Sequence, residues 1–433
     1  MHRFYYKGKK LYCENVSLSE LVTEFGTPLY VYSRQTIVNH FQTLKSALSE
    51  LDHRICYAVK ANSNLAIIKT LADLGSGFDI VSEGELRRVI AAGGNPSLSV
   101  FAGVGKTETE IEFALKNNIY SFNVESEPEL ERINQIARRL GVKAPVAIRV
   151  NPNVDAHTHS KITTGTYENK FGIGFEKILR IYQQASKLKN ISLRGIQMHI
   201  GSQITSAAPF EQAVKKVAPV AIELKKKYGI EFFSIGGGIG IVYKPALASG
   251  TPDWWKSPQS KGLLTPQSYA KRLVPILKET GLKILIEPGR FIVGNAGVLI
   301  TRIEYIKKTG RKNFVIVDSA MNDLIRPAFY DSYHEIVPLV KTSTSENFKA
   351  DVVGPICESG DYFCKDRSLP KVKPGDYLVI MSAGAYGTVM GSNYNSRPFP
   401  PEIMVDGSKY FIVRKRQPVE KIWELESISD LVC

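Results

Sequence analysis

The sequence predicts an α/β fold: a parallel β/α barrel of the TIM type, followed by an antiparallel β domain. Two observations predict it. From residue 55 to residue 286 the chain repeats a beat of short apolar run, loop and amphipathic helix. Eight such runs occur, the count that closes a parallel barrel. Beyond Gly289 the beat is lost, and strand-like stretches follow one another with Pro and Gly in the turns. A doubly wound open sheet is the competing architecture for the first part on the pattern alone.

In order, a short hairpin-like opening leads to a helix over Leu18 to Phe25, and a long amphipathic helix runs from Arg34 to Leu51. The eight apolar runs are Ile55–Val59, Phe78–Val81, Leu98–Ala102, Tyr120–Val124, Val146–Val150, Leu193–His199, Phe232–Ile235 and Ile284–Ile286. Helical patterns lie between them, among them Glu83–Ala92, Glu127–Leu140, Glu176–Leu188, Pro209–Tyr228 and Pro266–Thr280. The later strands are expected at Gly297–Lys307, Asn313–Asp318, His334–Val340, Lys349–Val353, Tyr377–Ser382 and Lys409–Arg414. The expected domains are a barrel over residues 30–288, and a β domain formed by residues 1–29 and 289–433.

The composition suits a soluble protein of two domains, with 43% hydrophobic and 23% charged residues in 433. The net charge of +14 comes from Lys and Arg spread along the chain, without basic patches interleaved with aromatics. No nucleic-acid partner is expected, and the cationic field suits a small anionic substrate or cofactor. Five cysteines without paired spacing indicate neither a disulfide framework nor a zinc site, and no metal is expected. The start lacks an apolar signal region and no long uncharged apolar run follows, so the expected setting is cytoplasmic, with no membrane partner.

The chemistry collects at the carboxyl ends of the expected barrel strands, where barrels carry their working residues. Lys60 follows the first strand in Tyr57-Ala58-Val59-Lys60-Ala61-Asn62, Asp79 stands on the second and His199 follows the sixth. Gly236-Gly237-Gly238-Ile239-Gly240 follows the seventh, and Glu287-Pro288-Gly289-Arg290 the eighth. A lysine amine in a pocket at a strand end is made nucleophilic towards aldehydes by desolvation. The glycine run lets backbone amides close around a phosphate, and it is no dinucleotide fingerprint because the third glycine is missing. An amine, a phosphate cradle and a buried acid together point to pyridoxal 5'-phosphate. Glu287 would keep its ring nitrogen protonated, His199 would lie on the ring, and Ser202 would donate to the phosphate.

The sequence resembles the diaminopimelate decarboxylases, within the wider pyridoxal-phosphate decarboxylases that include the ornithine and arginine enzymes. The resemblance runs nearly end to end. Beyond the motifs already quoted it rests on Asp155-Ala156-His157-Thr158-His159, Lys170-Phe171-Gly172-Ile173, His199-Ile200-Gly201-Ser202, Arg326-Pro327-Ala328-Phe329-Tyr330, Cys357-Glu358-Ser359-Gly360-Asp361 and Gly384-Ala385-Tyr386. It implies that Lys60 carries the cofactor on its amine, and that Gly240 and Glu287 through Arg290 bind it, with Tyr386 reaching its phosphate. It further implies that Arg290, Arg326, Tyr330, Glu358 and Tyr386 bind substrate, and that Cys357 reprotonates the α-carbon. A homodimer with shared active sites is implied as well.

These roles make physical sense. The far end of diaminopimelate carries both an amine and a carboxylate, so an arginine fork and Glu358 can read it together. A thiol with an ordinary pKa of about 8.5 can protonate a carbanion and recover its proton from solvent. The expected reaction is loss of carbon dioxide from meso-2,6-diaminopimelate at its L-centre, giving L-lysine, the last step of lysine biosynthesis. The alternatives are a related ornithine or arginine decarboxylase, a racemase of related barrel fold, and a non-catalytic pyridoxal-phosphate carrier or basic interaction protein. His157 and His159 are expected in a loop over the mouth of the site, and Trp254-Trp255 in local loop packing.

Overall fold

The structure, a computed structural model, describes residues 1–155, 170–341 and 346–428. His157 and His159 therefore lie outside the described residues. The chain divides into two compact units: Val38–Ile241 with Pro258–Ile292, and Met1–Ile37 with Val242–Ser257 and Val293–Cys433.

In the first of these, eight parallel strands close on themselves: His53–Ala58, Gly77–Ile80, Ser99–Phe101, Ser121–Val124, Ala144–Asn151, Ile191–Met198, Phe232–Ser234 and Lys283–Ile286. Each expected apolar run has become a strand. Ile284 lies beside His53 and Ile286 beside Ile55, so the sheet is a barrel and the open-sheet alternative is set aside. A further two-residue strand, Ile173–Gly174, pairs with the end of the fifth.

The outer helices carry their own punctuation. Glu127–Leu140 starts at Ser126, whose side chain accepts from the Glu129 amide, and ends at Gly141 in the left-handed conformation. Acids fill its first turn and arginines its last, matching the helix dipole. Leu65–Asp73 and Glu108–Lys116 are helices beyond those named from the sequence, capped by Asn64 and Thr107. The helix begun at Arg34 ends at Ala47, short of Leu51.

Alternate strands fill the barrel interior in layers. Cys56, Val100, Ala147 and Phe232, from the first, third, fifth and seventh strands, pack with Leu285 as an apolar cluster. The even strands contribute Asp79, Asn123 and Gln197 instead, joined by Glu287 directly after the eighth, and all four are buried. That polar layer holds the candidate site.

The other unit is built around the long strand Gly297–Lys308. It pairs antiparallel with Leu29–Ser33, Asn313–Val317 and Tyr377–Ile380. The sheet is mixed, because Asn313–Val317 with Asn347–Val353 and Leu29–Ser33 with Glu402–Asp406 run parallel. Leu29–Ser33 thus extends the N-terminal share of this sheet past residue 29. Val242–Ser257 also belongs to the unit, tied by His2 Nε2 at 2.8 Å from the Ala246 carbonyl and by the Leu247 amide donating to Glu335 at 2.7 Å.

Among the strands after Gly289, Tyr362–Pro370 and Glu402–Asp406 were not foreseen: the first is interrupted by Lys365, Asp366 and Arg367, and the second is short and follows three prolines. The strand expected from His334 begins only at Ile336. Trp254 and Trp255 meet edge to face at 5.0 Å, and the Trp255 indole donates to Ser249, which is the local packing expected of them. Of the described helices, none is long and apolar enough to cross a membrane.

Candidate active site

Lys60 leaves the first barrel strand in a single tight turn, Val59–Ala61. Its ammonium donates to Asp79 Oδ2 at 2.6 Å, and Asp79 stands on the neighbouring strand level with Ala58. The Lys60 side chain is 41% exposed and that of Asp79 1%. A buried carboxylate therefore holds the amine.

Glu287 is nearly fully buried beneath this pair. Ser234 donates to its Oε1 at 2.7 Å, Gln197 to its Oε2 at 3.0 Å, and Asn123 to Oε1 at 3.4 Å. Burial, reinforced by the negative charge of Asp79, pushes its carboxyl up to about 7. Asp79 Oδ1, Asn123 Oδ1 and Gln197 Oε1 are buried without a hydrogen-bond partner. A layer of buried acceptors calls for a ligand that brings donors. A protonated pyridine ring with a hydroxyl brings both, and Lys60 beside it offers the amine an aldehyde needs. The residues fit pyridoxal 5'-phosphate.

The glycine run sits above this layer. A Cβ on Gly237 would lie 2.2 Å from the Glu287 carbonyl oxygen, and Gly238 has a φ of +104°, so neither position admits a side chain. Several amides of the run are already committed: Gly236 donates to Ser234 Oγ, Gly237 to His199 Nδ1 and Gly240 to the Ile204 carbonyl. Fewer donors remain for a phosphate than the run alone suggests. His199 accepts through Nδ1, and burial together with the cations Arg149 and Lys60 holds its pKa well below 6.5. Its ring is therefore neutral. Arg290, almost wholly buried, donates to Ser202 at 3.1 Å, and Gly289 packs against Ala58 and Ala61 in the turn that carries Lys60.

Lys60, Asp79, His199, Ser202, Gly237, Gly238, Gly240, Glu287, Gly289 and Arg290 thus meet at the carboxyl ends of the barrel strands. Sequence reasoning missed Asn123, Gln197 and Ser234. The available signal was a polar residue inside an apolar run, as in Ser121-Phe122-Asn123-Val124. It also missed Glu125, which accepts from Arg149 at 2.9 Å and from the amides of Gly103 and Gly172.

The remaining candidates lie in the other unit. Arg326 opens the short helix Arg326–Tyr330 and is buried, while Tyr330 is half-buried against Phe329. Cys357 and Glu358 are exposed on one turn. The Cys357 amide donates to Asn395 Oδ1 at 3.1 Å, and Glu358 accepts from the Tyr394 hydroxyl at 3.0 Å. Asp361 braces the turn by accepting from the amides of Ile356 and Met321, each at 2.8 Å. Tyr386 is half-buried with a φ of +56°.

Comparison with known proteins agrees with this chemistry. Residues 34–294 match the pyridoxal binding domain of pyridoxal-dependent decarboxylases. The diaminopimelate decarboxylase of Vibrio cholerae is 48% identical over 98% of this chain and 98% of its own. The crystal structure of the Helicobacter pylori diaminopimelate decarboxylase complexed with L-lysine aligns with a TM-score of 0.87 at 43% identity, covering 94% of this chain and 99% of that one. That of the M. jannaschii enzyme, in co-complex with L-lysine, aligns with a TM-score of 0.90 at 34% identity over 99% of both. With a lysine, a raised carboxyl and a glycine turn meeting on the barrel rim, and with likeness over nearly its whole length, the chain belongs to the diaminopimelate decarboxylase family of pyridoxal-dependent decarboxylases.

Proposed function

We propose that this protein converts meso-2,6-diaminopimelate to L-lysine and carbon dioxide, with pyridoxal 5'-phosphate joined to Lys60. The carrying observation is the buried Glu287, raised to about 7 and flanked by Ser234 and Gln197 donors. L-lysine keeps the L-configured carbon with its amine and carboxylate. Carbon dioxide must therefore leave from the D-centre, which corrects the L-centre inferred from the sequence.

When bound, the cofactor supplies a sink for the electron pair left on the α-carbon. This chain's residues do the rest. A carboxyl raised to about 7 by burial can hold a proton near neutral pH, so Glu287 can share one with a ring nitrogen. Asp79 orients the Lys60 amine, and neutral His199 offers a flat, uncharged face. Gly238, Ser202 and Arg290 form the polar wall that suits the phosphate and the reacting end of the substrate, and the family resemblance assigns Tyr386 to the phosphate as well. Arg326, Tyr330 and Glu358 read the far end, its carboxylate and its amine. Cys357, exposed on its turn, returns a proton to the α-carbon. The working form is a homodimer in the cytoplasm, each Lys60 site completed by the partner's cysteine turn.

Carbon dioxide release measured side by side with diaminopimelate, ornithine and arginine tests the reading. Strong preference for diaminopimelate is expected. Equal or better turnover of a substrate without the far carboxylate would overturn it.

A further inference from the structure

His334 is fully buried two residues before the strand Ile336–Pro338, and the reaction as described makes no use of it. Its Nδ1 lies 2.8 Å from the Met381 carbonyl oxygen. A carbonyl only accepts, so Nδ1 carries the hydrogen. Its Nε2 lies 3.3 Å from Arg326 Nε, and a guanidinium only donates, so Nε2 is the acceptor. Both contacts select one state of the ring: neutral, protonated at Nδ1.

That state aims the arginine. The Arg326 Nε–H is given to His334, and an Nη2 hydrogen goes to Ser332 Oγ at 3.2 Å. Both acceptors are neutral, so they fix the plane of the fork without cancelling its charge. Tyr243 adds a wall, its ring 5.5 Å from the guanidinium and edge to face with His334 at 5.2 Å. Arg367 donates to the His334 carbonyl and so holds the backbone of the same segment. A planar guanidinium rewards such fixing, because two-pronged recognition of a carboxylate tolerates little rotation.

We propose that His334 is a positioning residue for substrate specificity: its Nδ1–H tautomer orients Arg326 to receive the far carboxylate of the substrate. The inference rests on the reading that Arg326 binds that carboxylate. Recognition of a group far from the reacting carbon contributes equally before and during the chemical step, so its loss raises KM and leaves kcat.

Two amide substitutions separate orientation from packing. His334→Asn can keep the donor to Met381 and loses the acceptor for Arg326. His334→Gln can keep an acceptor near Nε2 and loses the donor. In the holoenzyme, His334→Asn is expected to raise KM for diaminopimelate about tenfold or more with kcat within about threefold. His334→Gln is expected to lie nearer wild type in KM despite a lower Tm. Ser332→Ala, at a half-buried position less able to unfold the chain, is expected to raise KM about threefold. Arg326→Ala, measured alongside, reports on the underlying reading: an unchanged KM there sinks the reading and the inference together. If Arg326→Ala raises KM while His334→Asn and Ser332→Ala do not, or if both His334 variants simply follow their Tm, the inference alone is overturned.

Discussion

The Ser234 hydroxyl donates to Glu287 at 2.7 Å, joining the end of the seventh barrel strand to the turn after the eighth. This bond favours the carboxylate, as does the one from Gln197, yet burial and the charge of Asp79 outweigh both. The protein thus keeps a buried acid whose carboxyl is raised to about 7.

A stability difference follows. The Glu287 carboxyl rises from an ordinary value of 4.5 to about 7 in the folded apoprotein. Below 4.5 folded and unfolded chains both hold the proton, and the stabilisation is fully present. As pH climbs through 7 the unfolded chain has ionised already while the folded one still resists, so stability is lost. Apoprotein Glu287→Gln should escape this loss. Its Tm relative to wild type is expected to rise by roughly 3–6 °C between pH 4.5 and 7.5, on the scale where about 1 kcal/mol moves the Tm of a chain this long by roughly 1–2 °C. A difference that stays flat across that range would show that Glu287 titrates normally.

Asp79 holds the Lys60 amine at 2.6 Å, which suits the covalent role proposed for it. Borohydride reduction of the holoenzyme should fix the cofactor on the Lys60 peptide, read by mass spectrometry. Lys60→Ala should lose both the label and the visible absorption, with activity down by at least about a thousandfold, some 4 kcal/mol of barrier. Labelling of another lysine in the wild type would contradict the assignment.

Steric closure at Gly237 makes a sharper test of the cradle. A methyl group there would meet the Glu287 carbonyl at 2.2 Å, whereas one on Gly105 meets nothing within 4 Å. Gly237→Ala should cost about 1–3 kcal/mol of stability and weaken cofactor binding more than tenfold, measured by fluorescence titration. Gly105→Ala should stay within about 0.5 kcal/mol of wild type. Equal behaviour of the two variants would remove the cradle from the site.

Shared sites can be tested by mixing. If Lys60 and Cys357 serve one site from different subunits, Lys60→Ala and Cys357→Ala proteins are each inactive alone. After subunit exchange, random pairing makes half the dimers mixed with one intact site each, so about a quarter of wild-type activity should return. Exchange confirmed by mass, without recovered activity, would place both residues in one subunit's site.

Much of this was legible in the residues because it is local or periodic. The eight apolar runs became strands, and Lys60, Asp79, Gly237 and Glu287 fell on one rim because parallel strands in a barrel all point their carboxyl ends the same way. Asn123 and Gln197 were hidden because a single polar residue in an apolar run has no signature until the strand is placed in a layer. Tyr362–Pro370 was hidden because its charges, Lys365, Asp366 and Arg367, break any alternation.

By itself the sequence determined the eightfold beat of strand and helix, the second β domain, the amine, the glycine turn and the acid. Their order along the chain and the period of two or 3.6 residues are enough for that. Only the tertiary structure decided that the sheet closes, that an ion pair with Asp79 holds Lys60, and that His334 reaches Arg326 in one tautomer. It also raised the Glu287 carboxyl. The reason is that proton positions and charge states depend on burial and on neighbours distant in sequence, such as Asp79 beside Glu287, which no local pattern records.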